Sequence, residues 1–479
     1  MIIKRIELRY FRNYVSLNIG TEPGINVFYG DNAQGKTNIL EAVYLCACAR
    51  SHRTAKDNEL IYHSSQNQTV NSENDQNKSN DQSHKDDQSQ TDEKQTDDEN
   101  QMDDEKQTDD ENQIDDRFAS IDPFTNQYDI KLTFLNRDQQ EETIELRYLD
   151  AIAGDPQRNR AIRQVLHNGV KLDKISDLMG LFHAVIFAPE DLMLVKEGPA
   201  TRRRYLDLLI SQIRPTYFIR LQQYAKYLQQ RNKLLKDLRE KSFRSKRKPE
   251  EDDLLQLDVW NQALAQQGAG LIEQRLRFTE KIAELAGKAQ HQISSGKEKL
   301  YVKYRTIAGI KPDMNYQTIY DLYYNKLKSM VYDDIEKGTT GSGPHRDDLE
   351  LSLDGDGMKS FASQGQQRSA VLALKLAELS ILRQETGEMP VLLLDDVMSE
   401  LDGNRRASLL DNIHDAQVFV TCTDAQQVVR EIRREQQFSD TSLENLNRFS
   451  YYHVCDGHVR YGHLYHGQED PGTLTSEPS

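Results

Sequence analysis

Residues 30–40 read GDNAQGKTNIL, which has the form Gly-x4-Gly-Lys-Thr. Glycine lacks Cβ, so the backbone around Gly30 and Gly35 can turn its N–H groups inward and approach an anion closely. Lys36 carries a charge long enough to reach the β- and γ-phosphates of a nucleotide, and Thr37 offers a hydroxyl to Mg2+. The flanking text supports that reading. INVFYG (25–30) is a short apolar strand ending in glycine, and NILEAVYLCACAR (38–50) has apolar residues at helical spacing. A loop between a strand end and a helix start adds the helix field to its own N–H groups. Gly30, Asp31, Asn32, Ala33, Gln34, Gly35, Lys36, Thr37 and Asn38 are therefore expected to cradle the phosphates, in a mixed α/β fold.

A kinase, a switch, a motor and a clamp can all begin this way, so the downstream motifs decide what the phosphate is for. In PVLLLDDVMSELD (390–402) an apolar run ends in two adjacent carboxylates. Asp395 suits the Mg2+ position through water, and Asp396 suits a group that orients or deprotonates the attacking water. Alone, the pair also reads as a strand end with two solvated acids; the phosphate loop favours the catalytic reading. Between the two motifs lies FASQGQQRSAVLALKLAEL (361–379). There Ser363, Gly365 and Gln366 open a strongly apolar helix, and a hydroxyl with free N–H groups at a helix start makes a second anion site. A simple helix cap also explains the serine. One nucleotide has no use for two cradles from one chain, but a second cradle makes sense if it closes over the γ-phosphate held by a neighbouring subunit.

Ser363-Gln364-Gly365-Gln366 looks like the signature motif of ABC-type ATPases, and Ser399-Glu400-Leu401-Asp402 resembles their D-loop. The wider set is more specific. YFRNY (10–14), GDNAQGKTNILEAVYL, SHRT (51–54), FAPEDLMLVKEGPATRRRYLD (187–207), GPHRDDL (343–349), SQGQQR and LLLDDVMSELD occur in this order. Together they resemble the RecF family of bacterial DNA replication and repair proteins, over nearly all of the chain outside 64–116 and the C-terminal tail. The resemblance implies an ABC-type ATPase head like those of SMC-class proteins, without their long coiled coil. It implies ATP and Mg2+ as cofactors and an ATP-dependent homodimer with two nucleotides at its interface. It further implies binding to single-stranded, gapped and junction DNA, cooperation with RecR and RecO in loading RecA, and a part in the SOS response. Carried over by motif, Lys36 and Thr37 hold phosphate and Mg2+, and Asp395 and Asp396 serve metal and water. Ser363 and Gly365 meet the partner's γ-phosphate, and Asp402 lies at the dimer seam.

The chain departs from the pattern in places. VTCTDA (420–425) offers Thr423 and Asp424 where ABC transporters carry a histidine. Asp396 stands where many ABC ATPases have glutamate; the shorter acid reaches less far toward water, so hydrolysis is expected to be slow. Two rivals remain, a P-loop enzyme acting as a monomer and another SMC-like, nuclease-associated head. The Ser-x-Gly-Gln run argues against the first. The short helical stretch and the lack of an acidic metal-nuclease segment after the last strand argue against the second. Two basic clusters, Arg202-Arg203-Arg204 and Lys246-Arg247-Lys248, are candidates for DNA phosphate contact, and each also reads as a solvated surface.

The net charge of −16 misleads, because 64–116 carries 18 acidic residues and four lysines; that segment holds −14, which leaves −2 for the other 426 residues. Overall acidity is thus no argument against a nucleic-acid partner. Within the segment DEKQTDDENQMD (92–103) repeats as DEKQTDDENQID (104–115). No apolar face exists there to offset ordering entropy, so a solvated insertion is expected. The ATPase head is expected to comprise 1–63, 117–199 and 296–465, with a helical arm at 200–295 and a disordered tail at 466–479. The arm reads as two long helices folded back near Lys246 to Glu250. Four cysteines are too few for a disulfide framework, and Cys46 and Cys48 read as buried helix residues. With no signal peptide or membrane span in the text, a cytosolic protein with no membrane partner is expected.

Overall fold

The computed structural model describes residues 1–54, 56–62, 126–151, 160–246, 248–413, 415–436 and 449–462. The acidic stretch at 64–116 and the tail at 466–479 lie outside these residues. Two six-stranded sheets sandwich one helix. The first is antiparallel, in the order β2-β1-β4-β5-β6-β7. It comprises β1 (Ile2–Phe11), β2 (Tyr14–Gly20), β4 (Gln127–Leu135), β5 (Glu141–Leu149), β6 (Ile162–His167) and β7 (Val170–Lys171). Its strands alternate apolar and polar residues because only one face is covered. Ile6 and Leu8 of β1, Ile130 and Leu132 of β4, and Ile144 and Leu146 of β5 all turn inward.

The second sheet runs β15-β14-β3-β13-β12-β8 and is parallel from β14 (Phe449–Cys455) through β3 (Ile25–Tyr29), β13 (Val418–Cys422) and β12 (Val391–Asp395) to β8 (Ala184–Phe187). β15 (His458–Gly462) closes it as an antiparallel edge. The central strands are apolar throughout because both faces are covered. Period-two alternation divides β12 between two cores. Val391 and Leu393 pack with α1 (Lys36–Cys48), whereas Leu392 and Leu394 pack on the opposite side. Buried between the sheets, α1 is apolar nearly all round, and burial pushes the Cys46 and Cys48 thiols up to about 12. Both cysteines are structural, as their spacing suggests.

The helical region holds three helices rather than two. After α2 (Pro199–Ile213), Arg214 leaves the helical backbone (φ −130°, ψ 87°) ahead of Pro215, which disfavours a helical residue before it, and α3 (Pro215–Ser245) starts afresh. α3 and α4 (Glu251–Ile293) then fold back on each other. Lys246 turns the chain in a left-handed conformation, and Lys241 is held to Asp253 at 2.9 Å across the turn. α5 (Tyr316–Ser329) and α6 (Val331–Lys337) pack against α4 and α3. The wholly buried Arg231 of α3 braces this end, donating to Asp334 at 2.9 Å, Asn261 at 2.8 Å and Thr340 at 2.7 Å. A small sheet of β9 (Leu300–Arg305), β10 (Asp348–Leu353) and β11 (Asp356–Gly357) lies in the order β11-β10-β9. From it the chain enters α7 (Gln364–Thr386), then β12, α8 (Gly403–Asn412), β13 and α9 (Ala425–Gln436). Among the described residues no helix is long and apolar enough to cross a membrane.

Candidate functional site

The parallel strands β3, β12 and β13 end on one edge of their sheet, where open α/β sheets place ligands. β3 runs into the phosphate loop. Gly30 and Gly35 both have left-handed φ, at 147° and 108°. A Cβ at Gly30 would collide with the carbonyl oxygen of Val454, and one at Gly35 with the side-chain amide of Asn13. Both glycines are thus needed for backbone conformation and for space. The loop is pinned from two sides. From the β1–β2 turn, Asn13 donates through Nδ2 to Gln34 O at 2.8 Å and accepts from Asn38 Nδ2 at 2.8 Å. From the β14–β15 turn, Asp456 N donates to Gln34 Oε1 at 2.5 Å. Lys36 Nζ crosses the loop to Gly30 O at 2.7 Å and Asp31 O at 2.8 Å, using two of its three donors. Asp31, Asn32 and Ala33 form the exposed rim.

β12 delivers Asp395 to the start of α1. Thr37 Oγ1 donates to Asp395 Oδ1 at 2.8 Å, and Thr421 Oγ1 of β13 donates to the same oxygen at 2.7 Å. Asp395 is 5% exposed; burial pushes its carboxyl up, opposed by these two hydroxyl bonds. Asp396 takes a left-handed φ of 55°, and its N–H donates to Thr421 Oγ1 at 2.9 Å. Such a conformation at a non-glycine residue needs surrounding structure to hold it. The structure therefore groups Lys36, Thr37, Asp395 and Asp396. The hydroxyl of Thr37 beside a carboxylate is a hard-oxygen pair that suits Mg2+, with phosphate and water for the remaining positions.

Other groups converge here that motif spacing did not assign. Glu41 of α1 is fully buried. Burial pushes its carboxyl up, but the two bonds from Arg12 at 2.9 and 2.8 Å, together with the Ser51 hydroxyl, outweigh this and hold it below the ordinary range. This anchor fixes the SHRT loop, so that His52 lies edge-on to Tyr44 with its pKa pushed down to about 4 by burial. Arg53 donates to Asn38 Oδ1 at 3.1 Å. From the other side, β8 pairs in parallel with β12, Phe187 opposite Leu394. The next turn, Pro189–Leu192, thereby brings Glu190 beside Asp395.

The second predicted cradle is a capping box. Ser363 Oγ accepts from Gln366 N at 3.3 Å, and Gln366 Oε1 accepts from Ser363 N at 2.8 Å. Gln366 Nε2 also donates to Glu298 at 3.1 Å. Arg405 of α8 joins this helix start to the predicted D-loop, bonding Gly365 O at 2.8 Å and Asp402 Oδ2 at 2.7 Å. Ser363 is exposed, and Phe361 beside it is 74% exposed.

The basic run 202–204 is bonded within the chain rather than presented to solvent. Arg202 forks onto Asp348 at 2.8 and 2.9 Å, Arg203 donates to Asp347 O at 2.7 Å, and Arg204 to Ser51 O at 2.5 Å. These bonds tie α2 to GPHRDDL and SHRT. Lys246 and Lys248 remain exposed at the arm tip; Arg247 lies outside the described residues.

Residues 2–440 match the family model of the RecF/RecN/SMC N terminal domain. The chain is 36% identical to the DNA replication and repair protein RecF of Ruminiclostridium cellulolyticum, over 88% of this chain and 93% of that one. It is also 36% identical to RecF of Acetivibrio thermocellus, over 92% and 96%. A solved structure of the recombination mediator protein RecF with ATP, from the RecFOR pathway, superposes with a TM-score of 0.71 at 31% identity, over 96% of this chain and 98% of that one. The phosphate loop, the carboxylates ending β12 and the capped start of α7 thus sit on an ABC-type ATPase head, and the chain belongs to the RecF family of DNA replication and repair proteins.

Proposed function

We propose that the chain is an ATP-gated DNA-binding protein of recombinational repair, in which nucleotide joins two heads and hydrolysis releases them. The observation that supports this is the 2.8 Å hydrogen bond from Thr37 to Asp395, which brings the two distant motifs together at the start of α1. In this reading Gly30 to Asn38 wrap the phosphates of ATP, and the free donor of Lys36 reaches the outer ones. Thr37 and Asp395 hold Mg2+, which when bound neutralises phosphate charge and orients the γ-phosphate. Asp396 orients water, slowly because its side chain is short. The exposed Ser363 and the N–H groups near Gly365 meet the γ-phosphate bound by a second copy. Arg405 couples that contact to Asp402 at the seam.

A gating role follows from linkage. Whatever binds the joined pair of heads better than the separate ones shifts the equilibrium toward the pair. DNA contacting both heads would do so, and would be retained only while ATP persists. The proposal extends to gapped or single-stranded DNA, to RecR, RecO and RecA as partners, to SOS induction and to a cytosolic setting. The test is fluorescence anisotropy on a gapped duplex with ATP and Mg2+, with ADP, and without nucleotide. ATP should tighten binding at least roughly 10-fold, and affinity should fall steeply with salt, as counterion release requires. Equal binding in all three states would sink the reading.

A further inference from the structure

The cluster beside Asp395 has a feature that phosphate binding leaves unexplained. Both ring nitrogens of His52 are buried and make no hydrogen bond. Leaving such groups unpaired costs about 1–3 kcal/mol each, so a buried orphan calls for a reason. The ring is held in place rather than loose: it stands edge-on to Tyr44 at 5.8 Å, and the Glu41–Ser51 bond anchors the residue before it. One ring nitrogen of His52, one carboxylate oxygen of Glu190 and one of Asp395 lie within 4.8 Å of one another. The three come from separate parts of the chain, assembled by α1, by the β8–β12 pairing and by the end of β12. Both threonine hydroxyls bond Oδ1 of Asp395, so Oδ2 keeps its lone pairs. Arg53, Lys375 and Arg204 all bear on the His52 ring; the Nε of Arg53 is 3.8 Å from Glu190, too long for a hydrogen bond, and its side chain is 38% exposed. Arg53 Nη1 is bonded to Asn38 Oδ1 at 3.1 Å, so a cation bound at Glu190 competes with Arg53 rather than with a hydrogen bond to that carboxylate.

We propose that His52, Glu190 and Asp395 form a divalent-cation site that binds Mn2+ without nucleotide and prefers it to Mg2+. The proposal rests on the reading of Asp395 as a cation-facing carboxylate and adds a nitrogen ligand to it. Two carboxylates and an imidazole form a mixed set. Mg2+ demands oxygen ligands in a near-ideal octahedron and gives up its water reluctantly. An imidazole nitrogen suits transition-metal ions instead, and Mn2+ accepts carboxylate, water and imidazole together. Three protein ligands leave open positions for water and, later, phosphate.

The test is electron paramagnetic resonance of Mn2+ titrated into the full chain without nucleotide. One ion per chain should bind, and Mg2+ should displace it only at about 10-fold higher concentration or more. Spin-echo modulation should show nitrogen bound to the metal. His52→Phe keeps a ring against Tyr44 and should abolish the nitrogen signal; Glu190→Gln should weaken binding at least about 10-fold without removing that signal. Mn2+ affinity unchanged in both variants would overturn the proposal, as would Mg2+ competing on equal terms. Because nucleotide is absent, the outcome is separable from that of ATP-driven pairing. Loss of the Mn2+ site with pairing intact rejects only this inference, and the converse rejects only the functional reading on which pairing rests.

Discussion

Thr37 and Asp395 stand 358 residues apart in sequence and share a 2.8 Å hydrogen bond. The bond forms because β3 and β12 flank β13 in one parallel sheet and end at the same edge, where α1 begins. Thr421 at the end of β13 completes the contact by bonding the same carboxylate oxygen. The site is thus a product of strand order, and its parts should fail together.

Lys36→Met should retain the fold and lose nucleotide. The methionine fills the buried volume but removes the ammonium that crosses the loop to Gly30 and Asp31. Loss of a charge-assisted contact to phosphate is worth roughly 2–3 kcal/mol, or about 30- to 150-fold in affinity. Titration with a fluorescent ATP analogue reads this directly, and a loss under about 3-fold would contradict the assignment.

Gly30→Ala should cost stability as well as binding. Gly30 and Gly169 both have positive φ, at 147° and 77°, but only at Gly30 does a Cβ meet a neighbour, the carbonyl of Val454 on β14. Gly169→Ala should therefore cost about 1 kcal/mol from backbone strain alone, and Gly30→Ala about 2 kcal/mol or more. Urea unfolding of the two variants side by side checks the difference. Equal midpoints would show that β14 does not press on the loop.

The Arg231–Asp334 pair should show the asymmetry of buried ion pairs. Both side chains are fully buried, and Asp334 also accepts from Gly341 N at 3.0 Å. Arg231→Met strands the carboxylate and should destabilise by about 3–5 kcal/mol. Arg231→Met with Asp334→Leu should recover part of that loss. A double variant no better than the sum of its parts would mean that the pair braces α3 against α6 through more than its charges.

Acid should destabilise the region around GPHRDDL. His345 accepts from Tyr224 OH through Nδ1 at 2.7 Å and donates from Nε2 to Thr340 O at 3.0 Å. Burial pushes its pKa down to about 4. The unfolded chain takes up this proton near the ordinary pKa and the folded chain only near 4. Stability is therefore present above the ordinary value and is lost as pH falls from about 6.5 to 4, by up to roughly 3 kcal/mol. Asp347, pushed up to about 6 by burial, acts in the opposite sense: its contribution is present below its ordinary pKa and is lost as pH rises through about 6. His345→Gln isolates the histidine, and unfolding free energies from pH 8 to 4.5 should fall less in the variant than in the wild type. Parallel curves would contradict the burial argument.

What was legible in the sequence follows from range. The strand INVFY, the loop after it and the all-apolar β12 ending in Asp395 are local patterns, and the structure has them where the text places them. α5 was missed because its buried face, Ile319, Tyr323 and Leu327, is diluted by exposed tyrosines in YQTIYDLYYNKLKS. The break at Arg214–Pro215 was written in the proline but lost in a long helical run. The β14–β15 pair was also missed, and with it the turn that brings Gly457 against the carbonyl of Asn13, where a Cβ would sit at 2.5 Å. Glu190 and His52 stood in quoted motifs without a role. Their place beside Asp395 comes from strand register and from the Glu41 anchor, and no spacing along the chain encodes either.

The most direct test of the account is mass in solution by light scattering, without nucleotide, with ADP, and with ATP plus Mg2+, for wild type and Ser363→Arg. Ser363 is exposed and its cap is worth about 1 kcal/mol, so the variant should fold. The account predicts a dimer only in wild type with ATP and Mg2+, and a monomer in every other arm. A wild-type mass that ignores ATP, or a dimer that survives Ser363→Arg, would mean that Ser363 is only a helix cap and that the nucleotide serves a single subunit.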